Sequence, residues 1–366
     1  MVPIARRNLL ADKVKLLVAI GGVTLAIVLI LVVQSLYYGV QREADSFVHN
    51  LPGDLWVMQQ GTTDLVFSNS HLPDDAAGAI QTVDGVDRVY SLSGRLMTFT
   101  VNGKDVRTYV MALDPLSDPA TSEGAAFVPA TGTIILDRTF ANQAGLTRGE
   151  ELHFNDAALT VADVRHLGNV LVTQFAFVNA QDYRELFGVP GTVNFFLISL
   201  ENDASRAAVA ESLGDLVEGS RVDATDRFAK TSAAESTGDF LPIIRVIMVI
   251  AFIVGLAVLS LTIYSATIER AREYAIMKVI GASPLRLYRI VLSQSAFIAA
   301  FGFAAGVGLA FVFNSVAEDI VPQFITHIRW RDVAFVLGVT VLMSFVASYL
   351  PINRVARVDP ASVFRA

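Results

Sequence analysis

Leu16-Leu17-Val18-Ala19-Ile20-Gly21-Gly22-Val23-Thr24-Leu25-Ala26-Ile27-Val28-Leu29-Ile30-Leu31-Val32-Val33 is an unbroken apolar run in which Thr24 is the only polar side chain. As a helix, rising 1.5 Å per residue, it is long enough to cross a hydrocarbon core of roughly 30 Å, and it extends through Gln34 to Tyr38. Arg6, Arg7, Lys13 and Lys15 precede it, as basic residues precede a secretory signal. A signal core, however, is about 7–15 residues long and ends at a small-residue cleavage site, whereas Leu36-Tyr37-Tyr38 follows here. The run therefore reads as a membrane anchor. Three further blocks, Val246 to Tyr264, Ile290 to Val316 and Val333 to Leu350, are each long enough to span and carry no ionised side chain. Arg245, just before the second block, is placed to snorkel to the interface.

The composition agrees. The 366 residues are 53% hydrophobic and 17% charged, against about a quarter charged in an ordinary soluble domain. That much apolar surface excludes intrinsic disorder. With no cysteine, disulfides, thiolate-bound zinc, iron–sulfur clusters and thiol catalysis are excluded. A formal charge of −7 gives no footing for a nucleic-acid partner.

The distribution of charge orients the spans. Residues 1–15 hold four basic and one acidic side chain, residues 268–289 five and two, and residues 351–366 three and one. Residues 39–241 instead hold 13 basic and 28 acidic side chains, and residues 317–332 two and three. Short basic loops stay in the cytoplasm. This places both termini and the loop between the second and third spans inside, with the acidic insert and the last short loop outside.

Within the insert, Thr98 to Val101, Asn102-Gly103 and Val106 to Leu113 read as a β-hairpin with a tight turn. Asp54 to Met58, Thr133 to Leu136, Thr160 to Val164, Phe175 to Val178 and Val193 to Leu200 read as strands. Asp74 to Val83, Arg138 to Ala144, Ala180 to Phe187 and Ala204 to Leu216 read as helices. Without a regular βαβ rhythm the insert is α+β. Gln34 to His49 and Asp226 to Phe240 read as helices that form a stalk beyond the bilayer. The expected fold class is a multi-pass α-helical membrane protein, with four transmembrane helices and a large α+β extracytoplasmic domain between the first two. Its expected parts are an interfacial helix at 1–15, spans at 16–38, 242–267, 290–316 and 333–350, and the external domain with its stalk at 39–241. A coupling loop at 268–289, a short external loop at 317–332 and a cytoplasmic tail at 351–366 complete it.

Catalytic signatures are absent. There is no G-x-x-x-x-G-K-[ST] phosphate loop, no G-x-S-x-G elbow and no H-E-x-x-H pair. His49, His71, His153, His166 and His327 are scattered, and no carboxylate spacing singles out an acid/base pair. No catalytic residue, cofactor ligand or metal ligand is assigned. Gly302-x-x-x-Gly306 in the third span is a close-packing motif, open to helix packing or to a subunit contact.

The inter-span loop runs Ile268-Glu269-Arg270-Ala271-Arg272-Glu273-Tyr274-Ala275-Ile276-Met277-Lys278-Val279-Ile280-Gly281-Ala282-Ser283-Pro284. Ile276, Val279 and Ile280 share one helical face, giving an apolar stripe flanked by charge. Gly281 can close the helix in a left-handed cap, and Pro284 would open the next one. A plain basic loop is the alternative on these grounds alone. The segment closely resembles the E-R-x-R-E…G-A-S segment of FtsX/MacB-like ABC transporter permeases, with Tyr274 where an aliphatic residue is usual. Pro351-Ile352-Asn353-Arg354-Val355-Ala356-Arg357-Val358-Asp359-Pro360-Ala361-Ser362-Val363-Phe364-Arg365 is similar to their closing motif. Asn8-Leu9-Leu10 with Lys13 resembles the DevC-like branch, and Gly145-Leu146-Thr147-Arg148-Gly149-Glu150-Glu151-Leu152 their external β-subdomain.

The resemblance implies a dimerising permease of the type VII mechanotransmission fold, in the bacterial cytoplasmic membrane. It pairs with a second copy or a paralogue and binds a separate ABC ATPase that carries ATP and Mg, so the chain itself is no enzyme. Glu269, Arg272, Glu273 and Lys278 would make polar contacts with that ATPase, while Ile276, Ile280 and Gly281 pack into its cleft beside Ala282 and Ser283. The expected function is export or extraction of a hydrophobic or amphipathic substrate. The alternatives are a non-transporting regulator of an extracytoplasmic cell-wall enzyme, reached directly or through an adaptor, and a receptor with no ATPase.

Overall fold

A run of apolar residues without proline leaves the backbone no cheaper way to satisfy its polar groups in hydrocarbon than a helix. In the computed structural model, which describes residues 12–116, 123–154, 157–170, 173–188, 191–320 and 326–356, the first run lies in helix α1 (Lys13–Asn50). The interfacial helix expected at the N-terminus falls outside the described residues as far as Ala11, and the tail motif does so from Arg357. The chain divides into a unit of Val40–Asp239 and a unit made of Met1–Gly39 with Phe240–Ala366.

The Val40–Asp239 unit contains, in order, β1 (Leu55–Gln59), β2 (Leu72–Pro73), α2 (Ala76–Gln81), β3 (Val86–Val101), β4 (Lys104–Pro115), β5 (Thr133–Asp137), α3 (Arg138–Ala144), β6 (Glu151–Phe154), β7 (Ala157–Arg165), β8 (Asn169–Val170) and β9 (Thr173–Val178). It continues with α4 (Ala180–Phe187), β10 (Thr192–Val193), β11 (Phe195–Leu200), α5 (Arg206–Leu216), β12 (Ser220–Ala224) and α6 (Thr225–Gly238). The main sheet runs β12-β1-β11-β3-β4-β9-β5-β7-β6, with β8 on β9; β2 and β10 pair separately. Most neighbours are antiparallel, but β4 with β9 and β5 with β7 are parallel, so the insert is α+β with a mixed sheet. The expected hairpin is β3–β4, where Asn102 and Gly103 both have positive φ, as a two-residue primed turn requires.

Strand alternation builds two layers of core. Trp56, Met58, Phe175, Phe177, Phe195 and Leu197 face one side, together with Phe47 of α1 and Phe228 of α6. Leu55, Val57, Phe196 and Ile198 face the other, against α2 and α5. Phe47 stacks on Phe175 at a ring-centroid distance of 3.8 Å, and Trp56 lies 4.7 Å from Phe228. These contacts, not helix propensity alone, hold Val40–Asn50 and α6 on the sheet.

Polar clips join α1 to α6 and to the loop after β7. Gln41 Nε2 donates to Thr237 Oγ1 at 3.1 Å, His49 Nε2 lies 2.9 Å from Asp226 Oδ1, and His166 Nε2 lies 2.8 Å from Glu43 Oε1. The carboxylate partner raises each imidazole above its ordinary value: hydrogen bonding to Asp226 is the main cause at His49 and to Glu43 at His166. A raised histidine stabilises the fold while protonated, and that contribution fades as pH rises through the folded value. Thermal stability of the chain is therefore expected to fall between about pH 5.5 and about pH 8. Asp226→Asn should flatten part of that slope, as scanning calorimetry at the two pH values would show.

The second unit holds α7 (Leu241–Glu269), α8 (Ala271–Val279), α9 (Pro284–Ile320) and α10 (Trp330–Ala356) beside residues 13–39 of α1. Four of its helices (α1, α7, α9 and α10) are long and apolar enough to cross a membrane. Val23, Ile27, Leu259, Val291, Val336 and Met343 pack together in its interior. Val249, Ile253, Phe301, Leu309, Val341 and Phe345 are exposed around it. Helices apolar on all sides, with apolar residues turned outward, suit hydrocarbon rather than water.

Gly302 and Gly306 meet α1 inside the chain. A Cβ at Gly302 would lie 2.7 Å from Val23 Cγ1, and one at Gly306 would lie 2.7 Å from Ile27 Cγ2 and 3.2 Å from the Thr24 carbonyl oxygen. Thr24 Oγ1 donates to the Gly302 carbonyl at 3.3 Å. Between α9 and α10, Ser295 Oγ lies 2.9 Å from Ser344 Oγ and 2.6 Å from Ser348 Oγ, so buried hydroxyls partner one another instead of facing lipid. Gly306→Leu should force α1 and α9 apart, at a cost of about 1–3 kcal/mol. It would show as a lower midpoint in thermal unfolding of the detergent-solubilised protein.

Candidate functional site

The loop between α7 and α9 carries the short helix α8 (Ala271–Val279). Arg270, at φ −108 and ψ 17, interrupts the helix for one residue between α7 and α8. One face of α8 turns inward: Tyr274 is 2% exposed and Ala275 is buried. Tyr274 belongs to the same cluster as Leu287, Ile290 and Val291 of α9, with Met277 and Ala282 packed against it. The departure from an aliphatic residue at position 274 thus supplies a large buried anchor.

The opposite face is open. Ile276 is 42% and Ile280 80% exposed, and Val279 is exposed beside them. Arg272 and Glu273 are also exposed, and Glu273 Oε2 lies 3.6 Å from Arg270 Nη1. Apolar side chains held in water between charged ones form a surface suited to a partner.

Backbone geometry fixes where the face ends. Gly281 has φ +92, its N–H donates to the Lys278 carbonyl at 3.1 Å, and the Ala282 N–H donates to the Met277 carbonyl at 2.9 Å. This pair of bonds is a Schellman cap, which a glycine accepts without strain. No atom lies within 4 Å of where a Cβ would stand at Gly281, so a side chain there would be limited by backbone strain rather than by crowding. After exposed Ser283 the chain starts α9 at Pro284, with the Arg286 N–H donating to the Ser283 carbonyl at 2.9 Å.

Glu269 is engaged within the chain. Lys15 Nζ of α1 bonds Glu269 Oε1 and lies 3.3 Å from Asp12 Oδ2, while Ser265 Oγ donates to Glu269 Oε1 at 3.3 Å. The hydrogen bond between them raises the Lys15 ammonium and lowers the Glu269 carboxyl relative to their ordinary values. Lys15 was not foreseen in this role, because 254 positions separate the partners. Of the expected loop residues, Arg272, Glu273, Ile276, Ile280, Gly281 and Ser283 share the open surface, Ala282 and Lys278 are half-buried, and Glu269 turns to α1. Among the described residues no cluster of three His, Asp or Glu could hold a metal ion. Lys15→Glu and Glu269→Lys should each speed tryptic cleavage at Arg270 by about two- to fivefold, the scale of an exposed ion pair. The double exchange should return the rate toward wild type.

Comparison with known proteins covers both units. Residues 16–216, more than half of the chain, match the MacB-like periplasmic core domain, and residues 245–360 match the FtsX-like permease C-terminal family. An uncharacterized ABC transporter permease of Methanocaldococcus jannaschii is 23% identical over 230 residues, 59% of this chain and 57% of its own. The macrolide export ATP-binding/permease protein MacB of Vibrio parahaemolyticus is 25% identical over 175 residues, 46% of this chain and 26% of its own. A Staphylococcus epidermidis permease protein named for a hemin transport system, HrtB, is 19% identical over 333 residues, 91% of this chain and 90% of its own. The chain therefore spans less than two thirds of the first two relatives.

Proposed function

The chain belongs to the FtsX-like and MacB-like family of ABC transporter permeases, and on that premise we propose that it is the multi-pass membrane subunit through which a separate ATPase drives motion of the external domain. The observation that carries the reading is the two-faced helix α8. Its Tyr274 side is seated in the bundle, and its Ile276, Val279 and Ile280 side is open and bordered by Arg272 and Glu273. An ATPase cleft that received this face would bury its apolar residues and transmit a push through Tyr274 to α9. The 366 residues contain no phosphate loop, so in this reading ATP and Mg are bound outside them, on the ATPase.

Two copies, or one copy and a paralogue, would face a pair of ATPases. The helices Val40–Asn50 and α6, clipped together by Gln41–Thr237 and His49–Asp226, form the stalk in this scheme. Relatives named for macrolide export and for hemin transport support a hydrophobic or amphipathic cargo, and the absence of charged side chains from the four apolar blocks fits mechanical transmission better than an ion relay. The charge pattern supports termini and α8 on the cytoplasmic side.

Glu273→Lys and Ile280→Asp should each lower ATPase stimulation by this subunit at least tenfold while leaving its membrane insertion intact, read as phosphate release in reconstituted vesicles. Unchanged stimulation in both variants would remove α8 from the coupling path. Because the natural chain has no cysteine, Ser283→Cys and Ser68→Cys report sidedness directly. An impermeant maleimide on intact cells should label position 68 only, and labelling of position 283 would overturn the orientation.

A further inference from the structure

In the external domain β3 pairs with β11 only as far as Leu92, opposite Phe195, while it continues against β4 to Val101. Where the pairing stops, the β3 edge at 93–96, the loop 66–71 and residues 192–194 border a cleft of about 550 Å³. That volume lies within the range of small-molecule sites, about 300–1,000 Å³.

The walls are held in place. Asn194 Oδ1 accepts the Gly94 N–H at 2.7 Å, and Asn194 Nδ2 donates to the Ser70 carbonyl at 2.7 Å, tying strand edge to loop. Asp64 Oδ1 accepts the Val66 and Phe67 N–H groups at 2.6 Å each. The loop so fixed presents Phe67 to water, 46% exposed. Gly94 has no side chain because a Cβ there would strike the Tyr109 ring. Tyr109, buried to 5% exposure, and Tyr183 both line the cleft. Burial pushes the phenols up, Tyr183 to about 12, so both remain protonated donors at neutral pH.

The charge of the lining runs against that of the domain. Residues 39–241 carry 28 acidic and 13 basic side chains, yet among the described residues no carboxylate lines the cleft. Arg95, exposed at its edge, makes no ion pair among the described residues; its guanidinium lies 5.8 Å from the Phe187 ring centroid. A cation and neutral hydroxyl donors beside Phe67, Leu96 and Val193 are complementary to an anion with an apolar body.

We propose that this cleft is a binding site for a small anionic amphiphile, its charged group at Arg95 and the tyrosine hydroxyls and its apolar part against Phe67, Leu96 and Val193. The assignment concerns binding alone and stands apart from the ATPase coupling proposed above.

The test uses the full chain in neutral-lipid nanodiscs, with Asn69→Cys carrying an environment-sensitive fluorophore at the rim. It is titrated with 4-phenylbutyrate, 4-phenylbutylamine and 4-phenylbutanol. A saturable response to the carboxylate, at least tenfold tighter than to the amine, is expected. Arg95→Glu should abolish or invert that preference, and Val193→Trp, filling the cleft, should weaken the carboxylate at least tenfold. Glu273→Lys should leave it unchanged, which separates this site from the coupling reading. Equal responses to the three compounds, no saturation, or an unaltered preference in Arg95→Glu would each overturn the proposal.

Discussion

The helical unit depends on the close approach of α1 to its neighbours. Gly302 and Gly306 admit Val23 and Ile27, and Gly255 leaves room for Ala26 of α1 and Met343 of α10. Lipid supplies no hydrophobic drive between helices, so contact at this range must come from dispersion and a few hydrogen bonds. Larger residues at these positions would hold the helices apart and remove the contacts on both sides of α1. The serine cluster of α9 and α10 and the Thr24–Gly302 bond add polar terms that act only at that separation. With α1 so held, Lys15 is in reach of Glu269 at the start of the loop.

The external domain is governed by a different constraint, the two-fold alternation of its strands. Trp56, Phe175, Phe177 and Phe195 require cover on one face, and Phe47 and Phe228 provide it. Segments that are only moderately apolar, such as Asp226 to Gly238, therefore become ordered helices. Ser232 and Ser236 of α6 are buried yet satisfied, Ser232 Oγ accepting the Leu65 N–H at 3.1 Å and Ser236 Oγ bonding Asp64.

Much of this was legible in the sequence where the signal is local. The spans showed as runs without charge, and the β3–β4 turn as Asn102-Gly103. Helices α3 and α4 showed through their ends: Asp137 and Asn179 accept the Thr139 and Gln181 N–H groups, and Gly145 and Gly188 close them in left-handed conformations. What stayed hidden was non-local or masked by polar residues. The stretch of β3 from Val86 to Gly94 contains Asp87, Arg88, Ser91, Ser93 and Gly94, and β12 reads Ser-Arg-Val-Asp-Ala, so neither shows a strand's apolar alternation. The insertion of β1 between β12 and β11 and the parallel β4–β9 pairing join segments far apart in the chain. The Lys15–Glu269 pair and the cleft around Arg95 are legible only once the fold brings their parts together.

The loop motif gains a physical division of labour from this geometry. A helix meant to receive force needs one face that a partner can grip and another that cannot slip. In α8 the face with Ile276, Val279 and Ile280 is apolar and exposed, while Tyr274 and Ala275 are buried, Tyr274 in the cluster that also holds Leu287, Ile290 and Val291 of α9. Two devices fix its ends: the left-handed cap at Gly281 stops the helix before α9, and the Lys15–Glu269 contact ties the end of α7 to α1. The exposed ion pair is worth little, and burial of the Tyr274 ring far more. In the proposed coupling scheme, displacement of α8 would therefore pass chiefly through Tyr274 into the bundle, where Gly302 and Gly306 keep α9 in contact with α1.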